Sequence, residues 1–318
     1  MKDSFDREIN YLRLSVTDLC NLRCRYCMPK NGICKLSHED VLRIEELLEI
    51  VKVFESLGIQ KVRLTGGEPL IRRGIIELVE SIAKLEGIKD LAITTNGILL
   101  KKYAKSLKDA GLNRVNISID TLRENKFSYI TRGGKLKDVL EGIEAAKKVG
   151  LSPIKLNIVL IDGFNEDEIE DFAKITLTER IDVRFIELMP IGQVRDFAIE
   201  KFINNKIVLE KIPDLIRIPN SELHSPAVYY KIPNSKGRIG FINPISCKFC
   251  DSCNKVRVTS QGKLKLCLHS NEEIDLKTPL RQGKNLRDII CEKVKNKPLS
   301  HNLEDGTCIN KNMVQIGG

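Results

Sequence analysis

The hydrophobic pattern over the first two thirds of the chain has a steady cadence. Short runs rich in Val, Ile and Leu occur at 11–16, 61–64, 91–94, 114–119, 154–161 and 182–188. Their length and composition predict buried strands of a parallel sheet. Between them apolar residues recur at three- and four-residue steps, the spacing of one helix face. Val41, Ile44, Leu47, Val51 and Phe54 mark one such helix. Ser37 and Asp40 predict its start as a capping-box-like pair, and Gly58 follows its end. Leu99, Tyr103, Leu107 and Ala110 mark a second helix, closed by Gly111. Leu136, Val139, Ile143 and Ala146 mark a third, closed by Gly150. Six strand–helix units with short connections imply parallel strands and right-handed crossovers. An open doubly wound sheet and a full or partial barrel both satisfy this α/β pattern.

Either architecture gathers functional residues where strands end and loops begin. The chain follows that rule. The first predicted strand runs into a loop carrying Cys20, Cys24 and Cys27, and the second into Thr65-Gly66-Gly67-Glu68-Pro69. The third leads to Thr95-Asn96-Gly97, and the fourth ends at Ser118-Ile119-Asp120. Lys155 lies in the fifth, while Glu187 and Met189 close the sixth. After about Gly192 the cadence stops. Residues 220–246 are rich in Pro, Asn, Ser and Gly, with an apolar piece at 227–232, which predicts a smaller, partly β region. The expected division is a β/α core over 1–191 and a C-terminal region over 192–318.

Composition narrows the chemistry. Apolar residues make up 42% of the 318, enough for a sizeable core. The first ten residues are polar, unlike a signal peptide, and no run approaches the ~18 apolar residues of a membrane span. The formal charge of +9 suits an anionic ligand such as a nucleotide or nucleic acid, although charge alone favours the plainer reading of a Lys/Glu-rich solvated surface. Ten cysteines fall in two clusters plus the single Cys34, Cys291 and Cys308. That distribution reads as metal ligation in a reducing cytoplasm rather than as a disulfide framework.

The first cluster, C-x3-C-x2-C, supplies three thiolates where a closed metal site takes four protein ligands. One coordination position stays open, and an open position is where chemistry happens. The Gly66-Gly67-Glu68-Pro69 turn adds two glycines that let backbone approach a ligand and a carboxylate that can take an ammonium group. The second cluster reads Cys247-x2-Cys250-x2-Cys253-Asn254-Lys255-Val256-Arg257, followed by Cys267. The chain ends in Ile316-Gly317-Gly318.

The cysteine loop, the glycine turn and the β/α cadence resemble radical S-adenosylmethionine enzymes. The second cluster and the Gly-Gly end narrow the likeness to the GTP 3′,8-cyclase family of molybdenum cofactor biosynthesis, from about Tyr11 to the C-terminus. That resemblance implies a partial (β/α)6-type TIM barrel with a smaller, partly β C-terminal region carrying a second cluster. It implies two [4Fe-4S] clusters, one on Cys20, Cys24 and Cys27 and one on Cys250, Cys253 and Cys267, each with one iron free of protein. It places Tyr26, Gly67, Ser118 and Met189 against S-adenosylmethionine. Arg13, Arg63, Thr94, Lys155, Lys255 and Arg257, with the backbone around Val256, fall at GTP-contacting positions. The implied reaction joins guanine C8 to ribose C3′. A low-potential electron donor and a cyclic pyranopterin synthase acting on the product come with the family, whereas a membrane or nucleic-acid partner does not. The oligomeric state stays open, a homodimer included.

Two departures stand out. Lys255 occupies a position where the family usually has arginine, which keeps the charge but loses the bidentate fork. Cys247 is additional, and it is expected to stay off the cluster, since a fourth thiolate would close the iron that the guanine needs. The alternative is a fully ligated auxiliary cluster and another substrate. Plain explanations compete at other positions too. Cys34, Cys291 and Cys308 are expected to be incidental, and His269 to pack or face solvent. Arg13, Arg63 and Lys155 could instead be held by internal salt bridges, to Glu68 or Glu187. Arg72 and Arg73 are expected to be solvated or to cap a helix. Two rival functions share some of these features. A radical S-adenosylmethionine peptide-modifying maturase shares the first motif but not Asn254-x-x-Arg257 or the Gly-Gly end. A metal protein binding nucleic acid would want exposed aromatics, and these are 5% of the chain with no Trp.

Overall fold

The computed structural model describes residues 1–220, 224–301 and 309–317. Six parallel strands form its centre: β1 (Tyr11–Ser15), β2 (Lys61–Thr65), β3 (Asp90–Thr95), β4 (Arg114–Ser118), β5 (Ile154–Leu160) and β6 (Ile181–Glu187). They lie side by side in chain order. Crossover helices α1 (Ile44–Ser56), α2 (Ile75–Ala83), α3 (Leu100–Asp109), α4 (Glu124–Thr131), α5 (Leu136–Lys148) and α6 (Ile169–Thr178) return the chain between them. All six expected strands and the three expected helices are present, with ends moved by a residue or two except at the start of α1. There Ser37 and Asp40 hydrogen-bond each other at 2.8 Å but close an isolated turn. α1 begins at Ile44, where the Glu46 carboxylate accepts from Arg43 N–H at 2.8 Å. The apolar spacing located the helix, while the nearest polar pair did not locate its cap.

The C-terminal region adds β7 (Ile216–Arg217), β8 (Ala227–Lys231), β9 (Ile239–Ile242), β10 (Lys255–Val258), β11 (Lys263–Lys265) and β12 (Ile274–Asp275). These strands extend both edges of the same sheet. β9 pairs parallel with β6, and β10 pairs parallel with β1. The order is β12-β11-β10-β1-β2-β3-β4-β5-β6-β9-β8-β7, with eight adjacent parallel strands and antiparallel pairs outside them. The result is a partial barrel. Among the described residues no helix is long and apolar enough to cross a membrane.

Side-chain alternation sets what the two faces do. Leu12, Leu14, Val62, Leu64, Ile93, Val115, Ile117, Leu156, Ile158, Val183, Phe185, Val256 and Val258 point outward into one continuous core shared with the helices. The intervening residues point inward and are mostly polar: Arg13, Lys61, Arg63, Thr94, Arg114, Ser118, Lys155, Asn157, Arg184, Lys255 and Arg257 all line one interior cavity. The strands therefore alternate more strictly than their apolar content suggested. A (β/α)8 barrel is ordinarily filled by branched apolar side chains. This one has a polar lumen.

Candidate active site: two thiol triads in one barrel

The cavity measures about 400 Å³. Cys20, Cys24 and Cys27 lie at one end of it, in the loop that follows β1. The glycine turn after β2 packs directly on that loop. Gly67 N–H donates to Thr17 O and Glu68 N–H to Leu19 O, both at 2.8 Å. A Cβ on Gly67 would sit 2.1 Å from Leu19 O, and one on Gly66 would sit 2.4 Å from Thr17 O. The glycines thus serve close contact between two backbones as well as access to a ligand. Glu68 is buried and accepts from Leu70 N–H, Asn96 N–H and the Thr95 hydroxyl at 2.7–3.0 Å. Burial raises its carboxyl to about 7, with those bonds pulling the other way.

Tyr26 lies between two of the thiols and donates to Asp120 Oδ2 at 2.5 Å. Burial raises Asp120 to about 6 despite that bond. Asp120 follows the end of β4 by two residues and was noted as a strand-end residue without a role. Asn96, another strand-end residue, places its amide 3.9 Å from Cys20 Sγ. The three thiols share one low-dielectric neighbourhood. Burial pushes Cys20 up to about 11. It raises Cys24 and Cys27 further, helped by the neighbouring thiols and Asp120.

Such a set fits a group that brings its own positive charge, since a metal-bound thiol is deprotonated outright. No three Cys, His, Asp or Glu side chains among the described residues are gathered tightly enough for a single ion. A four-iron cluster needs no such convergence, because each thiolate meets its own iron.

The second triad lies at the opposite end of the barrel. β10 runs parallel to β1 with Lys255 beside Tyr11, so Cys250 and Cys253 precede its N-terminal end. β11 runs back, so Cys267 emerges at that same end. The cavity reaches both triads. β1, between them, spans about 13 Å. The strand-end expectation is corrected here: the first triad sits at C-terminal strand ends, whereas the second sits at the N-terminal end of β10. Cys247 is exposed and does not line the cavity. Cys34 is exposed, and Cys291 packs against the core. Cys308 and Gly318 lie outside the described residues.

A wall of cations separates the triads. The register places Arg13 between Arg257 and Arg63. Burial lowers the Arg13 guanidinium well below its ordinary value, and the charges of Arg257 and Arg63 lower it further. Burial lowers Arg63 to about 10. The expected alternative, capture of these arginines by Glu68 or Glu187, is not what those acids do. Glu68 is bonded as above, and Glu187 accepts from Ile245 N–H, Ser246 N–H and the Ser246 hydroxyl. Arg63 Nε and the Thr94 hydroxyl are buried without a hydrogen-bond partner. Buried donors left open in a polar cavity fit an anionic, oxygen-rich ligand.

Lys255 donates to His224 O at 3.0 Å and Asn254 Oδ1 at 2.9 Å, and burial lowers it to about 8. Burial pushes Cys253 up, but the charges of Lys297, Lys255 and Arg257 bring it below its ordinary value. The Val256 side chain points into the core; only its backbone lies between the cavity-facing Lys255 and Arg257. His269, expected to pack or face solvent, is buried, with Nε2 3.2 Å from Met189 Sδ. Arg72 does not line the cavity; as expected it caps a helix, at the C-terminal end of the 3-10 turn Pro69–Ile71, and its side chain donates to Leu42 O at 2.6 Å. Gly317 adopts φ +77°, and its carbonyl accepts from Arg257 Nη1 at 3.0 Å, bringing the C-terminal end to the cation wall. Lys61, Arg114, Asn116, Asn157 and Arg184 were not singled out from the sequence. Their signal was the polar residue at every second strand position.

Two family models match the chain: the radical SAM superfamily over residues 14–175 and Molybdenum Cofactor Synthesis C over residues 181–303. Full-length relatives are similar throughout. The GTP 3′,8-cyclase of Peptoclostridium acidaminophilum is 57% identical over 317 residues, covering 99% of this chain and 98% of that protein. That of Alkaliphilus metalliredigens is 53% identical, with complete coverage of both. The chain belongs to the GTP 3′,8-cyclase family of radical S-adenosylmethionine enzymes. Among solved structures, Streptococcus suis SuiB bound to S-adenosylmethionine superposes with a TM-score of 0.64 at 14% identity, over 89% of this chain and 65% of that one. SuiB bound to the precursor peptide SuiA gives 0.66 at 15%, over 98% and 71%. At that identity the likeness shows a shared fold. Membership brings an iron–sulfur enzyme with two [4Fe-4S] clusters and S-adenosylmethionine, in the first step of molybdenum cofactor biosynthesis.

Proposed function

We propose that this chain converts GTP to (8S)-3′,8-cyclo-7,8-dihydroguanosine 5′-triphosphate. One observation carries the reading: a single cavity runs through the barrel with a thiol triad at each end and a cation wall between. Cys20, Cys24 and Cys27 would hold the first cluster and Cys250, Cys253 and Cys267 the second. With S-adenosylmethionine bound, the first cluster would supply the radical chemistry that abstracts hydrogen. Tyr26, Gly67, Ser118 and Met189 would hold the cofactor, with Asp120 fixing Tyr26.

The chain's own residues bind, orient and exclude water. Arg13, Arg63, Lys155, Lys255 and Arg257 would take the triphosphate. Thr94 would use its open hydroxyl, and the backbone at Val256 would present its peptide groups. A nucleotide held by this wall would have its ribose toward the first triad and its base toward the second, whose cluster would be held by Cys250, Cys253 and Cys267. Such fixed geometry is what lets C3′ meet C8. Residues 1–191 would be the radical-generating core and 192–318 the auxiliary-cluster region. A low-potential donor would supply electrons, and a cyclic pyranopterin synthase would take the product. Free cysteines in both clusters suit a reducing cytoplasm.

The test is anaerobic incubation with GTP, S-adenosylmethionine and dithionite. Formation of 5′-deoxyadenosine that depends on GTP, together with a cyclised nucleotide, is the expected result. Cofactor cleavage indifferent to GTP and without a cyclised product would overturn the assignment. Iron content of about eight per chain is expected, and zinc in its place would remove the clusters from the reading.

A further inference from the structure

Two buried cations outside the cation wall engage the backbone of the second triad, and one of them, Lys297, also lines the cavity. Lys297 is 2% exposed. Its ammonium donates to Lys255 O at 2.9 Å and to Leu266 O. The first carbonyl lies two residues after Cys253, and the second immediately precedes Cys267. Arg7, from the N-terminal segment, is also buried and is held by Asp3 Oδ2 at 2.6 Å. Its Nη1 donates to Cys250 O at 2.9 Å, the same carbonyl that accepts Cys253 N–H at 3.0 Å. Its remaining bonds go to the carbonyls of Lys297, Pro298 and Leu299 at 2.7–3.3 Å. Each ligand-bearing segment is therefore tied through a backbone carbonyl to one of two cations, and the run 297–299 joins those cations to each other.

Arg7 has its counter-charge in Asp3, whereas Lys297 sits where local structure alone does not require a charge. Lys297 donates to carbonyls, and no carboxylate among the described residues forms a salt bridge with it. A buried ammonium in that setting is expensive unless an anion lies close. The anions available are the thiolates of the triad.

We infer that Lys297 and Arg7 are positioning residues of the second cluster: they hold its three ligand segments in register, and Lys297 offsets its negative charge. This rests on the assignment of that cluster to Cys250, Cys253 and Cys267. A site built this way binds its cluster more firmly and accepts an electron more readily than the same three thiols alone. Partners behind the ligands typically contribute 10–100-fold in metal affinity.

The experiment uses the full chain with Cys20, Cys24 and Cys27 changed to Ala, so that only the second cluster is present, reconstituted anaerobically. About four irons per chain are expected before any further change; their absence would overturn the cluster assignment itself. Into this background go Lys297→Met, Lys297→Arg and Arg7→Gln. Lys297→Met should lose iron to a chelator on the order of tenfold faster, with a more negative midpoint potential in an electron paramagnetic resonance titration. Lys297→Arg should restore the potential, and Arg7→Gln should speed iron loss while moving the potential less. Unchanged iron loss and potential in Lys297→Met would overturn the inference. The converse background, Cys250, Cys253 and Cys267 changed to Ala, controls for folding. There Lys297→Met should keep the first cluster's irons, and their loss would reassign Lys297 to the fold and equally overturn the inference.

Discussion

The two thiol triads hold similar ligands in opposite electrostatic settings. The first is buried among its own thiols, Glu68 and Asp120, and every strong neighbour named for Cys24 and Cys27 disfavours the thiolate except a local backbone bond at Cys24. The second is met by Lys297, Lys255 and Arg257, which together pull Cys253 below an ordinary thiol. The difference matches what each end is proposed to receive. S-adenosylmethionine carries a sulfonium and an ammonium, so standing negative charge suits it. GTP is a polyanion, so standing positive charge suits it.

The sharpest way to break the comparison is to remove one triad at a time. Cys24→Ala should abolish all cofactor cleavage while leaving about four irons, and Cys253→Ala should abolish cyclisation while some cleavage to 5′-deoxyadenosine survives. Equal loss of both products in the two variants would mean the triads are not separable. Deleting Gly317 and Gly318 should come next: cyclisation lost, both clusters retained, as read by product chromatography and iron content. Full turnover by the shortened chain would refute a role for the contact of Gly317 with Arg257.

A smaller effect is expected at Lys255. Lys255→Ala removes a charged donor worth about 1.5–3 kcal/mol, so the Michaelis constant for GTP should rise on the order of tenfold or more. Lys255→Arg should bind GTP at least as well as the native chain, because the fork replaces a point charge.

The acid–base asymmetry itself gives a pH test. Glu68 titrates near 7 in the fold against 4.5 normally. A raised carboxyl favours the folded state only while protonated, so stability should fall as pH rises from 4.5 through 7. Glu68→Gln should remove that slope in cluster-loaded protein without S-adenosylmethionine, a difference of about 1–3 kcal/mol in urea unfolding. A slope unchanged by the substitution would place the titration elsewhere. At the bottom of the scale, Cys247→Ser should change neither iron content nor turnover. Loss of the second cluster in that variant would make Cys247 a ligand and close the iron proposed for guanine.

Much of this was legible from residue order. The spacing of Cys20, Cys24 and Cys27, the glycine turn and six strand–helix units are local patterns, and local patterns survive folding unchanged. The alternation of polar and apolar residues along Tyr11–Ser15 or Lys61–Thr65 was equally present. Their Val and Leu content drew attention to the outer face, so Lys61, Arg114, Asn157 and Arg184 passed unremarked.

Other features belong to the tertiary structure alone. Nothing near residue 255 announces that β10 will insert beside β1, parallel and in register with Tyr11. That pairing sends the second triad to the far end of the barrel, lines up Arg257, Arg13 and Arg63, and makes one cavity out of two motifs more than 200 residues apart. Arg7 and Lys297 became visible in the same way, as carbonyl partners brought in from both ends of the chain. The sequence by itself determined which chemistries the chain could hold, because ligand spacing and side-chain period are short-range. Which of them face each other was decided by strand pairing, since a hydrogen-bonded edge accepts a partner from any distance along the chain.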